Sequence, residues 1–297
     1  MKILHLSPFG DGWAIAERFR TMGHKVVYAN LGGNKNGRGF LPEPSAGERW
    51  QTYANKADLV FVDATPNSRR TRRGGYEPSD LSFELMRLRH RGVSVIGPTP
   101  TSELVQNDPR YLRKIASKLG IGLLNESRGS CFGTLSLGPF GQCNIVFRNA
   151  GLFGHTDVSV PIPFGSQLTQ YLGYQLYSFL ESVRHTSYLN IDFNVTESGL
   201  NVSNVSTEPL YPAIFAHLGD LLGTALINSQ LGGPGQQLPP RPLSVAVTLH
   251  RLQEQPANSP EDLLQMPGFF GAEIERPEGQ QSQLAGPIAG ALIRGDT

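Results

Sequence analysis

The sequence predicts an α/β protein: a parallel-sheet unit first, then an α+β region. Over residues 1–122, short apolar runs alternate with helix-like segments, the order that builds β-α-β units. From residue 125, strand-like runs flank glycine-containing turns, which indicates antiparallel hairpins. A chain of 297 residues, 39% of them hydrophobic, is long enough for two domains and a substantial core.

The chain opens with an apolar strand at residues 2–6, a helical segment at 13–22 and a second strand at 24–29. The loop between the first strand and the helix contains Gly10, Asp11 and Gly12. Ligands of parallel α/β sheets bind at the carboxyl ends of the strands, where glycines let backbone N–H groups approach an anion. This loop is therefore either a ligand-contacting loop or a plain tight turn. Trp13 is expected either to stack on a ligand ring or to belong to the core.

The next elements complete the first unit. Residues 57–63 form the clearest strand of the chain, and it ends at Asp63. Segments 48–56, 79–91, 101–105 and 109–119 are predicted to be helical, 92–99 is a fourth strand with its turn, and Gly120 is a helix C-cap. Asp63 and Asp11 are expected to face one another and hold an amine. The alternative is that Asp63 caps the following turn.

Four arginines follow the strand that ends at Asp63: Arg69, Arg70, Arg72 and Arg73. Guanidinium groups pair bidentately with phosphate, and several such contacts give nucleic-acid affinity. The formal net charge of the whole chain is only +1, so any polyanion site must be local. The arginines predict phosphate or nucleic-acid contact, and the alternative is a solvated charge run.

The second half contains two predicted hairpins. The first joins strands at 131–137 and 144–147 and is followed by a glycine-containing loop at 148–154. The second joins strands at 188–194 and 200–205, between predicted helices at 167–184 and 211–226. A linker at 230–242 precedes a strand at 243–249. Asp192 and Asn194 share one face of a strand. With Asn204 and Glu208 they form either a polar active-site floor or a solvated sheet face.

Cysteine and histidine usage predicts no metal site. Cys131 and Cys143 are too few for a disulfide framework, and the histidines lack metal-ligand spacing. The sequence shows no secretory leader and no long apolar run. We therefore expect a cytoplasmic protein without a membrane partner.

The segment from Gly92 to Thr99, followed by Asn107-Asp-Pro-Arg-Tyr and Lys118-Leu-Gly-Ile121, resembles glycinamide ribonucleotide synthetase (phosphoribosylamine–glycine ligase), an ATP-grasp enzyme. The resemblance implies a pre-ATP-grasp domain at 1–122, an ATP-grasp-like α+β core at 123–235 and a small C-terminal domain at 243–297. It also implies two substrates, a glycine-like amino acid and a phosphate-bearing acceptor. Arg148 and Asn149 match the family's loop beside the amino acid, so Arg148 would bind a carboxylate.

The departures from the family bear on its cofactor. The family's lid would follow Ile121, but the first hairpin follows within about ten residues, so the core is expected to be lidless. The Glu-Phe-Asn metal motif falls on Asn204-Val205-Ser206, a poor magnesium site because magnesium prefers carboxylate oxygens. The phosphate-binding Gly-Gly-Arg falls on Phe9-Gly10-Asp11, which loses a positive charge. No cofactor is expected, and Mg-ATP is disfavoured.

Three functions remain open. The first is a transferase that joins an amino acid to a phosphate- or pyrophosphate-activated acceptor without ATP, such as a hypermodified pyrimidine in phage DNA. The second is an ATP-dependent ligase like the family. The third is an inactive relative that binds nucleotides or nucleic acid. In the enzymatic readings Asp192 or Glu208 is the general base and Asn204 completes the catalytic group.

Overall fold

A computed structural model describes the first unit almost continuously and the strands that follow it. The described residues are 1–10, 12–33, 41–44, 49–123, 133–137, 143–151, 154–162, 167, 178–180, 185, 187–196, 199–207, 244–249, 274–275, 283–284 and 291–294. Within them, no helix has the length and apolar character needed to cross a membrane.

The first unit alternates strands and helices in the predicted order. Its elements are β1 (Lys2–Ser7), α1 (Trp13–Thr21), β2 (Lys25–Asn30), α2 (Trp50–Ala54), β3 (Leu59–Val62), β4 (Arg69–Arg70), β5 (Tyr76–Glu77), α3 (Asp80–His90), β6 (Val95–Ile96), α4 (Pro100–Asn107) and α5 (Pro109–Leu119). Four strands form a parallel sheet in the order β2-β1-β3-β6. The loops after β1 and β3 therefore leave the same edge of the sheet, side by side.

Helices cover both faces of this sheet. Leu4 and Leu6 of β1 pack with Leu85 and Leu88 of α3 on one face. His5, between them in sequence, points to the opposite face, where its ring contacts Phe19 of α1. A parallel sheet needs cover on both faces, and this explains why its strands are almost continuously apolar. Burial of His5 in such a strand departs from that pattern.

The helix boundaries follow from capping chemistry. Thr99 and Ser102 form a reciprocal capping box at the start of α4, and Pro100 occupies its first turn. Asp108 then ends α4 and caps α5, accepting hydrogen bonds from the backbone N–H groups of Arg110 and Tyr111 at 2.9 and 3.3 Å. Gly120 ends α5 with φ of 69°, the left-handed conformation that glycine adopts at low cost. The predicted C-cap is confirmed.

The second part is built on an antiparallel sheet. Its strands are β7 (Gly133–Leu137), β8 (Cys143–Gly151), β9 (Gly154–Pro161), β10 (Leu189–Thr196), β11 (Gly199–Ser206), β12 (Ser244–Leu249), β13 (Ile274–Glu275), β14 (Gln283–Leu284) and β15 (Ala291–Arg294). Seven of them lie in the order β11-β10-β7-β8-β9-β12-β15. Strands from the last predicted segment, β12 and β15, thus lie in the same sheet as both predicted hairpins.

One face of the seven-stranded sheet packs on α4 and α5. Leu135, Ile191 and Val205 are buried there with Val105 of α4 and Ile115 of α5. Along β10 these apolar residues alternate with Asn190, Asp192 and Asn194, as expected for a strand with one core face. The predicted hairpin β10–β11 is confirmed, and its polar residues fall opposite the core.

One local prediction is wrong, and others lie outside the described residues. The predicted loop at 148–154 is strand: β8 runs to Gly151, and β9 resumes at Gly154 in antiparallel register. Segment 154–161 alternates polar and branched residues, so cross-strand pairing with β8 outweighs the glycines' turn tendency. The helix predicted at 211–226 and the linker at 230–242 lie outside the described residues, as does most of the helix at 167–184.

Candidate active site and phosphate-binding hairpin

The loop after β1 closes over a buried pair of hydrogen-bonded side chains. His5 Nε2 lies 3.0 Å from Asp63 Oδ2, and both side chains are fully buried. Gly12 packs directly on this pair, since a Cβ on Gly12 would lie 1.3 Å from Asp63 Oδ2. The Gly12 backbone N–H donates to Ser7 Oγ at 3.1 Å. A side chain at position 12 would therefore clash with Asp63, which lies below the loop and hydrogen-bonds His5.

The other predicted residues of this loop have different surroundings. Gly10 has φ of 76°, the left-handed region that glycine tolerates. Trp13 opens α1 and is only 2% exposed, so its ring is part of the core. Asp11, the predicted partner of Asp63, lies outside the described residues. Asp63 hydrogen-bonds His5, an interaction that sequence reasoning missed.

The four arginines form a hairpin, which we call the Arg hairpin (residues 69–77). Strands β4 and β5 pair antiparallel, with Arg69 opposite Glu77 and Arg70 opposite Tyr76. Thr71 closes the turn: its N–H donates to the Gly75 carbonyl at 2.9 Å, and its Oγ1 accepts from the Gly75 N–H at 3.0 Å. The run is thus an ordered secondary structure element.

The arginines of this hairpin differ in their partners. Arg69 forms an ion pair with Asp80, the first residue of α3. Arg70, Arg72 and Arg73 are exposed, and among the described residues no carboxylate pairs with any of them. These three guanidiniums are the available charges of the hairpin.

Both ends of the Arg hairpin are fastened to Glu103 of α4. The Glu103 side chain is completely buried, and Oε1 accepts from Ser68 Oγ at 2.9 Å and from the Ser79 N–H at 2.7 Å. Oε2 accepts from Ser79 Oγ at 2.8 Å and from Ser82 Oγ. Ser68 precedes the hairpin and Ser79 follows it. One carboxylate therefore holds both roots of the hairpin and the start of α3.

The same face of α4 reaches the second sheet. Gln106 lies three residues after Glu103, and its Oε1 accepts from the N–H and Oγ1 of Thr207 at 2.9 and 2.6 Å. Thr207 Oγ1 also hydrogen-bonds Thr65 Oγ1, just beyond β3. Asn107 Nδ2 donates to the Pro66 carbonyl at 3.0 Å. The exit of β11 and the carboxyl edge of the first sheet therefore meet at α4.

A buried arginine fixes the turn that leads into α4. Arg89 of α3 donates from Nη2 to the Gly97 carbonyl at 2.6 Å and from Nη1 to the Pro98 carbonyl at 3.0 Å. Burial lowers the pKa of Arg89 to about 10, so it stays charged at neutral pH. Arg89 also disfavours a charge on His185, whose pKa burial lowers to about 4. His185 donates from Nε2 to the Tyr188 carbonyl at 3.1 Å, and burial raises the pKa of the Tyr188 phenol.

Asp192 is the centre of a polar row that crosses three strands of the second sheet. Its Oδ1 accepts from Thr134 Oγ1 of β7 at 2.5 Å, and its Oδ2 accepts from Asn204 Nδ2 of β11 at 3.1 Å. These residues are direct cross-strand partners. The two donors fix the orientation of a half-buried carboxylate.

An irregularity in β11 brings further amides into register with this row. Asn204 pairs with Asp192 and Val202 with Phe193, which leaves Ser203 as the extra residue of a β-bulge. Because of the bulge, Asn201 lies opposite Asn194 although it is three positions from Asn204. Asn194 is itself buried. The polar row therefore extends along β10 from Asp192 to Asn194.

The donor set on β11 does not fit a magnesium site like that implied by the resemblance. Asn204 is neutral where the family has a glutamate, its Nδ2 donates to Asp192, and Ser206 is also neutral. Magnesium is bound in proteins mainly through carboxylates and water. Within the described residues, no group of three or more histidine, cysteine, aspartate or glutamate side chains could hold a metal ion.

The remaining predicted residues lie on or beyond the strands. Arg148 and Asn149 belong to β8, in register with Asp157 and Thr156 of β9, and their side chains are outside the described part. Glu208 follows Thr207 and is also outside it. Sequence reasoning missed Glu103, which lies within the helix predicted at 101–105, and Gln106, which lies just beyond that prediction but within α4.

The overall fold is similar to that of several solved structures, among them ATP-grasp proteins. Phosphoribosylamine–glycine ligase from Thermotoga maritima is similar over 100% of this chain and 93% of its own, with a TM-score of 0.63 and 13% identity. N5-carboxyaminoimidazole ribonucleotide synthetase from the same organism is similar over 98% of this chain and 92% of its own, with a TM-score of 0.55 and 13% identity.

A putative ATP-grasp superfamily protein from Archaeoglobus fulgidus matches over the full length of both chains, with a TM-score of 0.53 and 11% identity. No protein-family model matches the chain, and no curated protein matches its sequence. The predicted fold class and the resemblance to the ATP-grasp superfamily are confirmed at the level of the fold. Identities this low do not carry an activity from one chain to another.

Proposed function

We propose that this protein forms a C–N bond between a glycine-like amino acid and a phosphate- or pyrophosphate-activated acceptor, without ATP. The observation that carries the proposal is the hydrogen bond from Asn204 to Asp192. The resemblance places Asn204 at a position of the family's metal ligands. The amide of Asn204 donates to Asp192 and so orients the Asp192 carboxylate. A carboxylate held in one orientation can remove a proton from an ammonium that lies beside it.

The proposed reaction balances without an added cofactor. Asp192 removes a proton from the amino acid's ammonium, with Glu208 as the alternative base. The free amine attacks the activated carbon of the acceptor, a C–N bond forms, and the C–O bond to pyrophosphate breaks. Arg148 would bind the amino acid's carboxylate, and the loop of Gly10, Asp11 and Gly12 would lie beside the substrates. Asn194, Asn204 and Thr134 maintain the polar floor.

The acceptor we favour is a pyrimidine in DNA, activated as a pyrophosphorylated hydroxymethyl group, as in phage DNA hypermodification. The support is the Arg hairpin, whose exposed guanidiniums suit a nucleic-acid backbone better than a small metabolite. The setting would be the cytoplasm of a phage-infected cell. The experiment incubates the protein with glycine and DNA carrying the activated base, without ATP, and looks for glycyl nucleosides by mass spectrometry.

We expect product without ATP. The Asp192→Asn variant should be slower by roughly 10²–10⁴-fold, the usual contribution of a general base. Glu84→Gln, which changes a partly exposed carboxylate on α3, is the matched control and should react at the wild-type rate. If Asp192→Asn keeps full activity, the base assignment is wrong although the reaction stands.

A second candidate is an ATP-dependent ligase, favoured by the similarity to phosphoribosylamine–glycine ligase. Product that forms only when ATP is added would select it. If no product forms under either condition while DNA still binds, the protein is a nucleic-acid-binding relative without this catalytic activity.

A further inference from the structure

We infer that the Arg hairpin is a preformed binding element for the backbone of a nucleic-acid strand, with Arg70, Arg72 and Arg73 contacting phosphates and Arg69 excluded from contact. The inference extends the proposed function by assigning the surface that holds a DNA acceptor. It rests on the described geometry of residues 68–80, and its test does not need catalysis.

The Arg hairpin is held at its base by hydrogen bonds. Ser68 and Ser79 flank it, and both bond to the buried carboxylate of Glu103. The Thr71–Gly75 bonds close its turn, where Gly74 adopts φ of 77°. An anchored hairpin loses less conformational entropy on binding than a free charge run does, so each phosphate contact retains more of its free energy.

The four arginines differ in their acidic neighbours. Arg69 is paired with Asp80 and lies opposite Glu77 across the hairpin. A phosphate that approached Arg69 would come close to the carboxylates of Asp80 and Glu77, and these like charges would repel it. Arg70, Arg72 and Arg73 have no such acidic neighbour paired to them among the described residues.

The exposed arrangement of the arginines indicates the shape of the ligand. A site for one phosphate is normally concave and presents backbone N–H groups that converge on it. Arg70, Arg72 and Arg73 are instead all exposed on the hairpin, and its described backbone N–H groups at Thr71, Gly74 and Gly75 are used within the turn. Guanidiniums arranged in this way suit successive phosphates along a strand.

Three neutralised phosphates predict a specific salt dependence. Each contributes about −0.9 to the slope of log affinity against log salt on B-DNA, so the hairpin should contribute about −2.7. Between about 50 and 200 mM salt, this contribution lowers affinity by about 40-fold. Fluorescence anisotropy with a short labelled DNA duplex, titrated with the full-length protein at several salt concentrations, measures the slope.

The variants discriminate among the arginines. Arg70→Ala, Arg72→Ala and Arg73→Ala should each make the slope shallower by about 0.9, whereas Arg69→Ala should change it by much less. Asp80→Asn should release Arg69 and make the slope steeper. The control is Arg113→Ala, which removes one exposed guanidinium from α5, outside the hairpin, and should leave the slope unchanged.

Several results would overturn the inference. These are absence of duplex binding at low salt, a wild-type slope in the Arg70/Arg72/Arg73 triple Ala variant, or an effect of Arg69→Ala equal to that of Arg72→Ala. Stronger hairpin-dependent binding of free pyrophosphate than of duplex would reassign the hairpin to a single activated group. Hairpin-dependent binding of anionic lipid vesicles but not DNA would reassign it to a membrane surface.

Failure here is distinguishable from failure of the proposed reaction. If glycyl nucleosides form but the hairpin variants bind DNA like wild type, the reaction stands and this inference is wrong. If the salt slopes change as expected but no product forms, the hairpin assignment stands and the reaction is wrong.

Discussion

Replacement of Glu103 tests whether one buried carboxylate supports the Arg hairpin. Its two oxygens accept four hydrogen bonds, from Ser68, from Ser79 twice and from Ser82. Hydrogen bonds to a charged group contribute about 1.5–3 kcal/mol each, and a buried donor left without an acceptor adds its desolvation cost. Glu103→Ala removes every acceptor at once.

The amide of Glu103→Gln can retain part of this network. Its oxygen would stay with the Ser79 N–H and Ser68, because an N–H cannot accept from an NH2 group. The amide nitrogen would then face the Ser79 and Ser82 hydroxyls, which can rotate to accept. We expect Glu103→Gln to lower the free energy of unfolding by about 2 kcal/mol and Glu103→Ala by about 4 kcal/mol or more.

Urea denaturation measures the global effect, and limited trypsin digestion measures the local one. Trypsin cleaves after arginine, so a loosened hairpin should be cut sooner after Arg72 and Arg73. Glu84→Gln is the matched control, since Glu84 forms an exposed pair with Arg87 and should cost less than about 1 kcal/mol. If Glu103→Ala costs no more than Glu84→Gln and the hairpin is cut at the wild-type rate, Glu103 is not the anchor.

Three further outcomes test other parts of the structure. Burial keeps His185 neutral by lowering its pKa from 6.5 to about 4. Its contribution to stability is therefore full above pH 6.5 and is lost as pH falls toward 4, a loss of roughly 3 kcal/mol. Urea unfolding of wild type and His185→Gln at both ends of that pH range measures this contribution. Gly12→Ala should destabilise by about 3 kcal/mol because its Cβ would displace Asp63, whereas Gly75→Ala, with only Thr71 Oγ1 at 3.5 Å, should be near neutral. Calorimetry should detect no tight Mg-ATP binding, and a micromolar affinity would contradict the donor-set argument at Asn204.

Local chemistry made much of the fold predictable. The β1–α1–β2 opening, the strand ending near Asp63 and the helix closed by Gly120 all followed from apolar period, caps and glycine. The polar face of β10 followed from strict alternation around Asp192. Each of these patterns involves only a few neighbouring residues, so each can be predicted without knowledge of residues that are distant in the sequence.

The contacts that organise the candidate site depend on residues far apart in sequence. Glu103 resembles a solvent-facing helical glutamate, and only serines 21 to 35 positions away reveal that it is buried. His5 interrupts an apolar strand, and its partner Asp63 is 58 positions away. The Arg hairpin was missed as an element because its strands are two residues long and its order comes from Glu103 rather than from strand propensity.

Helix α4 relates the two halves of the proposed site. Val105 packs into the core of the second sheet, while Glu103, Gln106 and Asn107 hold the Arg hairpin, Thr207 and the loop after β3. Glu103 and Gln106 are about 4.5 Å apart along α4, and Thr207 and Asn204 are about 10 Å apart along β11. An activated base within a strand can present its reactive carbon near Asp192 while neighbouring phosphates reach the arginines, which is why the two proposals require an extended acceptor.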